Sequence, residues 1–563
     1  VYTKIIDLST YLSDIPGTVG FIPFFSRQGP DNQLTYVTSS QELADTYGTP
    51  NILNYGTSFG QGHYIVWNHV AVSPAFYCLR CLPDDAAFSN TFVDYNSDST
   101  GSIEIESITS QNSLLELQTS LAGHPVGELN VDRLMVVYPI GRGDYYDDFA
   151  ITIARAANTY KNSSVSGVPA TPVEAIYDFD VWQTQADGDD IIIESFEVCF
   201  DPDVVDDFGD SLFVEDVVNR YSKWIRTEVN RTSLNDWMTN GTVEIVVGDA
   251  ITPIHLFHGS EGDIVVIDAI TGQRTINTIN ATLALTNAYQ GLAVNPMTGL
   301  AEDGVVNTED IYFSIVYDAG YPDAVKDTIY SLAAETRLDC VAIIDNGNNL
   351  SYTESITSRT TAHNWNSKYA ALYDPYSKVF DTHTGRDVWF SPIYHMSNLI
   401  PLNDRLYDIW WPSAGFNRTT ISAIKELRYS PKLSQRDQLY LKQINPIVKF
   451  SIGDTVWGNL TTQKRPSKLQ DLSTMRMVLY IKRALEQYLR WSIYEFNDAI
   501  THAQISNDIA PFLEEIKTAR GLTSYTIEVG STTYEEKRKI AHVNVILFPV
   551  GVIERIELNL YIK

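Results

Sequence analysis

The chain has 563 residues, 44% hydrophobic and 12% aromatic with 33 tyrosines, which excludes a disordered polypeptide and implies several domains, because one core rarely organises so long a chain. Its formal net charge of -30 argues against a general nucleic-acid binder, whose affinity rests on neutralising phosphates. Four cysteines are too few for a disulfide scaffold and fit a reduced, cytosolic assembly environment, and no apolar run approaches the ~18 residues that span a bilayer.

The charge is unevenly placed. Residues 401–563 hold 22 Lys+Arg and 17 Asp+Glu, net +5, which leaves 18 and 53 in residues 1–400, net -35. An acidic body is joined to a mildly basic C-terminal unit. Independent drift of two domain surfaces would give this division, and so would two parts that face different neighbours.

The N-terminus, Val1-Tyr2-Thr3-Lys4, has no signal-peptide h-region. Residues 1–9 alternate as a short strand, with Val1, Thr3 and Ile5 on one side and Tyr2, Lys4, Ile6 and Leu8 on the other. After the turn at Pro16-Gly17, residues 18–25 read as a buried strand. Ser39, with Glu42 three residues on, marks a helix start. Residues 62–72 read as a second helix and 75–82 as a strand, which makes an α/β unit. From 96 to 304, β-branched runs (102–108, 191–200, 243–247) alternate with Asp, Asn, Gly and Ser turns, including a hairpin-like turn at 186–189 and one helix near 214–225. The α/β pattern then returns as strand 310–316, helix 324–335 and strand 340–344.

Motifs that carry chemistry are scarce. Gly56-Thr57-Ser58-Phe59-Gly60 matches a nucleophile elbow, but that motif needs a strand before the serine, and Thr49-Pro50-Asn51 reads as a loop. Cys78-Leu79-Arg80-Cys81 has zinc or redox spacing but lies in a strand without a second cysteine pair, so two buried thiols are expected. His255 and His258 lack a matching third ligand. No Gly is followed by Lys, so no Walker loop exists, and Asp345-Asn346-Gly347 departs from an EF-hand loop.

The strongest helical pattern runs from Asp471 or Ser473 as cap through Leu472, Met475, Val478, Leu479, Leu485, Tyr488 and Leu489. Arg476, Arg483 and Arg490 lie seven apart on another face, with Lys482 beside them. A further helix is expected from about Asp508 through Lys517 and Arg520, closed by Gly521. The chain ends with Ile556, Leu558, Leu560 and Ile562 alternating with Arg555, Glu557, Asn559 and Tyr561. Such a strand is either an edge of its own sheet or lent to a neighbour.

Between these lies a turn-rich aromatic block, Trp410-Trp411-Pro412-Ser413-Ala414-Gly415-Phe416-Asn417-Arg418, whose anchors beside tight turns suit a packing joint. After it come Gln435-Arg436-Asp437-Gln438-Leu439-Tyr440 on a helix, an expected turn at Ile444-Asn445-Pro446-Ile447, Trp457-Gly458, the basic amphipathic helix around 475–490, Phe496-Asn497, and a Tyr-containing strand near 524–529. These pieces in this order resemble the C-terminal domain of contractile tail sheath proteins of bacteriophages. The resemblance is specific over 365–563 and at the N-terminal strand, moderate over 18–95 and 190–345, and nearly absent in the insertions.

The resemblance implies an α+β multidomain fold. Its parts are a strand arm at 1–17, a subtilisin-like α/β middle domain from 18–95 and 305–364, a β-rich outward insertion at 96–304, an α/β inner domain at 365–552 completed by terminal strands, and a strand arm at 553–563. It implies a non-enzymatic subunit that polymerises helically around a tail tube and contracts from a metastable extended state. Donated strands would link neighbours through Tyr2, Lys4, Ile5, Ile6 and Leu8 at one end and Ile556, Leu558, Leu560 and Ile562 at the other. Implied partners are further copies in stacked hexameric rings, the tail tube protein, and baseplate and tail terminator proteins, with no cofactor, metal, direct nucleic acid or membrane insertion. The place is the virion tail, assembled in the host cytoplasm. The tube-facing candidates are Arg476, Lys482, Arg483, Arg490, Lys517 and Arg520, the last two in a region resembling the family's attachment helix. Alternatives are the sheath of an R-type bacteriocin or related contractile injection system, a serine hydrolase using Ser58, and a non-contractile coat or binding protein.

Overall fold

The computed structural model describes residues 18–552 except 97–102, 124–130, 157–174, 186, 207, 241–244, 250–251 and 268–273. Both expected arms, 1–17 and 553–563, lie outside the described residues.

The strands Ile444–Phe450, Ala370–Asp374, Val341–Asp345, Ile315–Tyr317, Gly20–Phe24 and Phe76–Arg80 are successive parallel neighbours in one nine-stranded sheet. Leu34–Val37 closes one edge antiparallel, and Gly453–Val456 with Thr420–Ile421 closes the other. Parallel strands are covered on both faces, which demands continuous apolar runs. Gly20–Phe24, Val341–Asp345 and Ala370–Asp374 are buried at every residue, as the expected strands 18–25 and 340–344 require. The covering helices include Gly62–Val70 and Asp323–Ser331, close to their expected ranges. Helix Ser40–Tyr47 starts where the sequence places it, with the Ser39 hydroxyl accepting the Glu42 N–H at 3.1 Å.

The β-rich insertion consists of two four-stranded antiparallel sheets. One runs Ile225–Val229, Val131–Pro139, Thr91–Asn96, Ile103–Glu106; the other runs Ile254–His255, Phe149–Arg155, Ile176–Thr184, Asp190–Cys199. Both feed one core that includes Val93, Leu134, Val137, Ile151, Phe179, Val198 and Trp237. Helices Leu114–Leu121 and Arg231–Asn240 stand here beside the expected one, which ends at Tyr221 so that Ile225–Val229 can join a sheet. The first of these carries a capping box, Ser113 with Glu116.

Three expectations are corrected. The insertion ends before residue 304, because Ala281, Ala284, Leu285, Ala288 and Tyr289 of helix Thr278–Tyr289 pack into the central core. No domain boundary falls at 364/365, since Ala370–Asp374 and Ile444–Phe450 extend the same sheet as Gly20–Phe24. Asn445-Pro446 is not a turn but part of a strand. Pro446 occupies the last pair with Ala370–Asp374 and precedes the first pair with Gly453–Val456, a place where a missing N–H is tolerated. No helix among the described residues is long and apolar enough to cross a membrane.

Candidate assembly surfaces

The residues of the aromatic block and its followers meet in space. Gly458 lies against Asn445, where an added Cβ would fall 2.9 Å from the Asn445 Cα, and the Trp457 N–H donates to the Pro446 carbonyl at 2.8 Å. The buried Asn445 amide donates to the Leu372 and Leu460 carbonyls at 3.1 and 2.8 Å and accepts the Leu460 N–H at 2.8 Å. Phe416, Phe450 and Trp457 form a ring cluster with centroids 4.9–5.3 Å apart, and the Arg436 guanidinium lies 5.1 Å from the Phe450 centroid. The block is a packing joint, as the sequence indicates.

Helix Leu472–Leu489 has two apolar faces. Leu472, Met475 and Leu479 enter the central core; Met477 and Ile481 join Ile505, Ile509, Leu513, Ile516 and Leu522 in a separate small core. Helix Ala499–Thr518 supplies most of that core. It begins nine residues before the expected Asp508, because Asp498 caps it by accepting the Ile500 and Thr501 N–H groups at 3.0 and 2.9 Å. Trp410 joins from the block, its indole N–H donating to the Ala519 carbonyl at 3.0 Å.

An antiparallel hairpin, Leu522–Gly530 with His542–Pro549, lies on this helix. Tyr525, Ile527, Val529, Val543, Val545 and Leu547 face the small core, while Thr526, Glu528, Asn544, Ile546 and Phe548 are exposed. Among the described residues neither outer edge of this two-stranded sheet has a strand partner. Two strands alone are marginal, and open edges invite a further strand by main-chain hydrogen bonding.

The six expected tube-facing cations do not share one surface. Arg476 is buried, donating to both Asp404 oxygens, with Nη1 to Oδ1 at 3.0 Å. Burial alone would lower its pKa, but the adjacent Asp404 holds it above its ordinary value. Arg476 is therefore an internal group and not a tube contact. Lys482 donates to the Leu338 carbonyl at 3.2 Å but stays exposed beside Glu486, and Arg483 lies half-buried 4.7 Å from the Tyr312 ring centroid. The seven-residue spacing does align the row, but its first member is buried and its second half-buried. Only toward its end does the helix leave the body, and there Arg490 is exposed. Arg520 is exposed with φ 68°, its guanidinium 5.3 Å from the Trp411 ring centroid, and Lys517 pairs with Glu514 at 2.9 Å.

One surface feature escaped the sequence reading. Trp491, Ile493, Tyr494 and Phe496 between the two helices and Ile500 in the first turn of the second are all strongly exposed, Tyr494 completely. Asn497 ties this segment to the hairpin connection, donating to the Ile540 carbonyl at 3.3 Å and accepting the Ser531 hydroxyl at 3.2 Å. Five large apolar side chains in ten residues mark a contact surface; Phe496-Asn497 was legible as a motif, but its exposure was not.

The chemical candidates resolve into structure. Ser58 is exposed on helix Ile52–Phe59, so the strand that a nucleophile elbow requires is replaced by helix. Cys78 and Cys81 are buried free thiols, and no group of three His, Cys, Asp or Glu among the described residues is arranged to hold a metal. His255 sits 3.8 Å from Asp190. An unforeseen cluster occupies the carboxyl ends of adjacent parallel strands, where α/β enzymes place their sites. Lys326 Nζ reaches Asp318 at 2.5 Å and Asp345 at 2.7 Å, and Asp345 also accepts from Ser391 and Tyr376 at 2.7 and 3.1 Å. Burial and the neighbouring Asp345 push the Asp318 carboxyl up to about 7. Both carboxylates are fully buried, and the cluster ties the strand ends together.

No protein-family model matches the chain. The tail sheath protein of Vibrio phage KVP40 is 25% identical over 170 residues, 30% of this chain and 25% of that protein. The tail sheath protein of Enterobacteria phage T4 is 25% identical over 175 residues, 31% of this chain and 27% of that protein. The match thus spans about a quarter of the length of these curated relatives. A solved sheath tail protein from Listeria innocua shares the fold with a TM-score of 0.55 at 8% identity, covering 96% of this chain and 93% of that one. By sequence the chain is similar to phage tail sheath proteins over about 30% of its length, and by fold it matches a sheath tail protein along nearly all of it.

Proposed function

We propose that the chain is the subunit of a contractile phage tail sheath, polymerising helically around a tail tube through donated terminal strands. The observation that carries this reading is the C-terminal hairpin, seated on its own small core with two open edges. The alternating residues at the termini, Tyr2 to Leu8 and Ile556 to Ile562, have the period of strands that could fill those edges in neighbouring copies. The kinship with tail sheath proteins supports the same reading. The work is mechanical and structural, with no catalytic step, and the subunit belongs to the virion tail. Of the cationic candidates, Lys482, Arg490, Lys517 and Arg520 remain for the tube, joined by the exposed apolar segment at 491–500. Baseplate and terminator proteins would bind the ends of the polymer. Electron microscopy of the purified chain tests the reading: long tubes of constant diameter are expected. Globular particles at every concentration and salt tried would overturn it.

A further inference from the structure

We infer that the cavity at the carboxyl end of strand Gly20–Phe24 is a binding site for a neutral saccharide ring. Gly20–Phe24 is the strand at which sequence order reverses across the central sheet. Phe76–Arg80 pairs with it on one side, while Ile315–Tyr317, Val341–Asp345 and Ala370–Asp374 run away in order on the other. Open parallel sheets place ligands outside the carboxyl ends of their strands at such a reversal. Residues 25–28, which follow the strand directly, form one wall of the cavity. Gly60 and His63, at the entry to helix Gly62–Val70, form another, and Tyr145 reaches across from the insertion. The volume is about 190 Å³. That is below the roughly 300–1,000 Å³ of sites for drug-sized ligands, so there is room for a single ring.

The polar groups of this cavity are short of protein partners. Gln28 is only 9% exposed, yet among the described residues its carboxamide makes no hydrogen bond. The carboxamide lies over Gly48, where an added Cβ would fall 3.3 Å from its Oε1. The Asn54 carboxamide makes none either, and that of Asn51 uses only its oxygen, which accepts the Leu53 N–H at 3.0 Å. His63 is buried with its Nε2 unpartnered. Burial, with His383 nearby, pushes its imidazole down to about 3, so the ring is neutral. Buried polar groups ordinarily find a partner, and an open cavity lets water serve until a ligand displaces it. The chemistry of the walls narrows the ligand. The hydroxyls of Tyr47, Tyr55 and Tyr145 are engaged with Thr35, Glu261 and Gln183, which leaves the rings to meet a ligand. Among the described residues no carboxylate lines the cavity, and its one cation, Arg27, faces Asp144 at 3.5 Å. A carboxamide offers a donor and an acceptor side by side, as two neighbouring hydroxyls require, and an aromatic wall takes an apolar C–H face. An uncharged ring with adjacent hydroxyls and a C–H face is a sugar.

Saturation-transfer NMR on the whole chain tests the site, with glucose, galactose, mannose and N-acetylglucosamine each titrated to millimolar concentration and adenosine as the comparison. At least one sugar should receive saturation from the protein. Asn54 is half-buried on helix Ile52–Phe59 and its side chain bonds to no other described residue, so Asn54→Ala should keep the wild-type melting temperature. It should weaken the sugar by roughly 2- to 10-fold, the effect of one lost hydrogen bond. Asn54→Trp, which fills the space, should abolish the signal. If that variant does not fold, Asn54→Ala decides alone. Equal binding by wild type and Asn54→Ala would put the sugar elsewhere and overturn the site. Silence from all four sugars would also overturn it, as would a signal from adenosine alone, which would give the cavity to a flat base. The titration reads dispersed subunits as well as polymer, so a chain that forms no tubes sinks the sheath reading and leaves this site standing.

Discussion

Asp374 shows what burial does to a single carboxyl in this chain. It ends a strand of the central sheet, is buried, and accepts the Tyr429 hydroxyl at 2.5 Å. Burial, outweighing the bonds from Ser355 and Tyr429, pushes its pKa up to about 7, against about 3.9 for an unperturbed aspartate. The folded chain keeps this proton at pH values where the unfolded chain has released it. Its stabilising contribution is therefore full below about pH 4 and lost as the pH climbs through about 7. Asp374→Asn should flatten that dependence: between pH 5 and pH 8 wild type should lose more melting temperature than the variant. Equal slopes would show that Asp374 is ionised throughout. Arg476 teaches a related lesson. Its charge was legible in the sequence, but its partner Asp404 lies 72 residues away, and no helical spacing reveals that the two meet.

Among the elements, the C-terminal unit behaves as a satellite with its own core. Ile509 is wholly buried among Met477, Ile481, Leu513 and Ile516, so Ile509→Ala should destabilise that unit by about 2–5 kcal/mol. Hydrogen exchange should quicken in Leu522–Gly530 and His542–Pro549 while the central sheet stays protected; uniform quickening would mean that the two cores unfold as one. Deleting residues 1–8 or 556–563 should abolish polymerisation while circular dichroism reports a folded subunit. Truncated chains that still build normal tubes would exclude donated arms, and truncated chains that unfold would place those strands in their own subunit's sheet. Strands with continuous apolar runs, such as Val341–Asp345, and helices with a cap and a stripe, such as Leu472–Leu489, were legible because local pattern and burial agree. Asn445-Pro446 was not, since a turn-forming pair sits in a strand whose place is set by Gly458 and Leu372, 13 and 73 residues away. Leu114–Leu121 carried a readable capping box that the surrounding β-branched runs concealed.

As a whole, the described residues form one large mixed sheet, a two-sheet insertion, a three-stranded sheet (Arg386–Phe390, Ser377–Asp381, Ile424–Leu427), a two-stranded one (Val265–Ile267, Arg274–Ile276) and a small C-terminal unit joined to the central body by a shared helix. The shared helix was legible in sequence, whereas the open edges of the hairpin and the apolar segment at 491–500 were not, because exposure depends on what the rest of the chain leaves uncovered. Under the sheath reading, contraction draws on a free-energy difference between two lattices of linked subunits, with each rearranged copy favouring the next. Heat or mild denaturant should then shorten isolated tubes irreversibly without nucleotide; shortening only on addition of ATP would contradict this source of work. The central claim is that neighbours complete the C-terminal hairpin. A cryo-electron microscopy reconstruction of the polymer, at a resolution that traces side chains, tests it most directly. The account predicts a four-stranded sheet in which Leu522–Gly530 and His542–Pro549 are flanked by residues 1–8 and 556–563 of other copies. A hairpin that stays two-stranded in the polymer, or one whose edges are filled by its own termini, would contradict it.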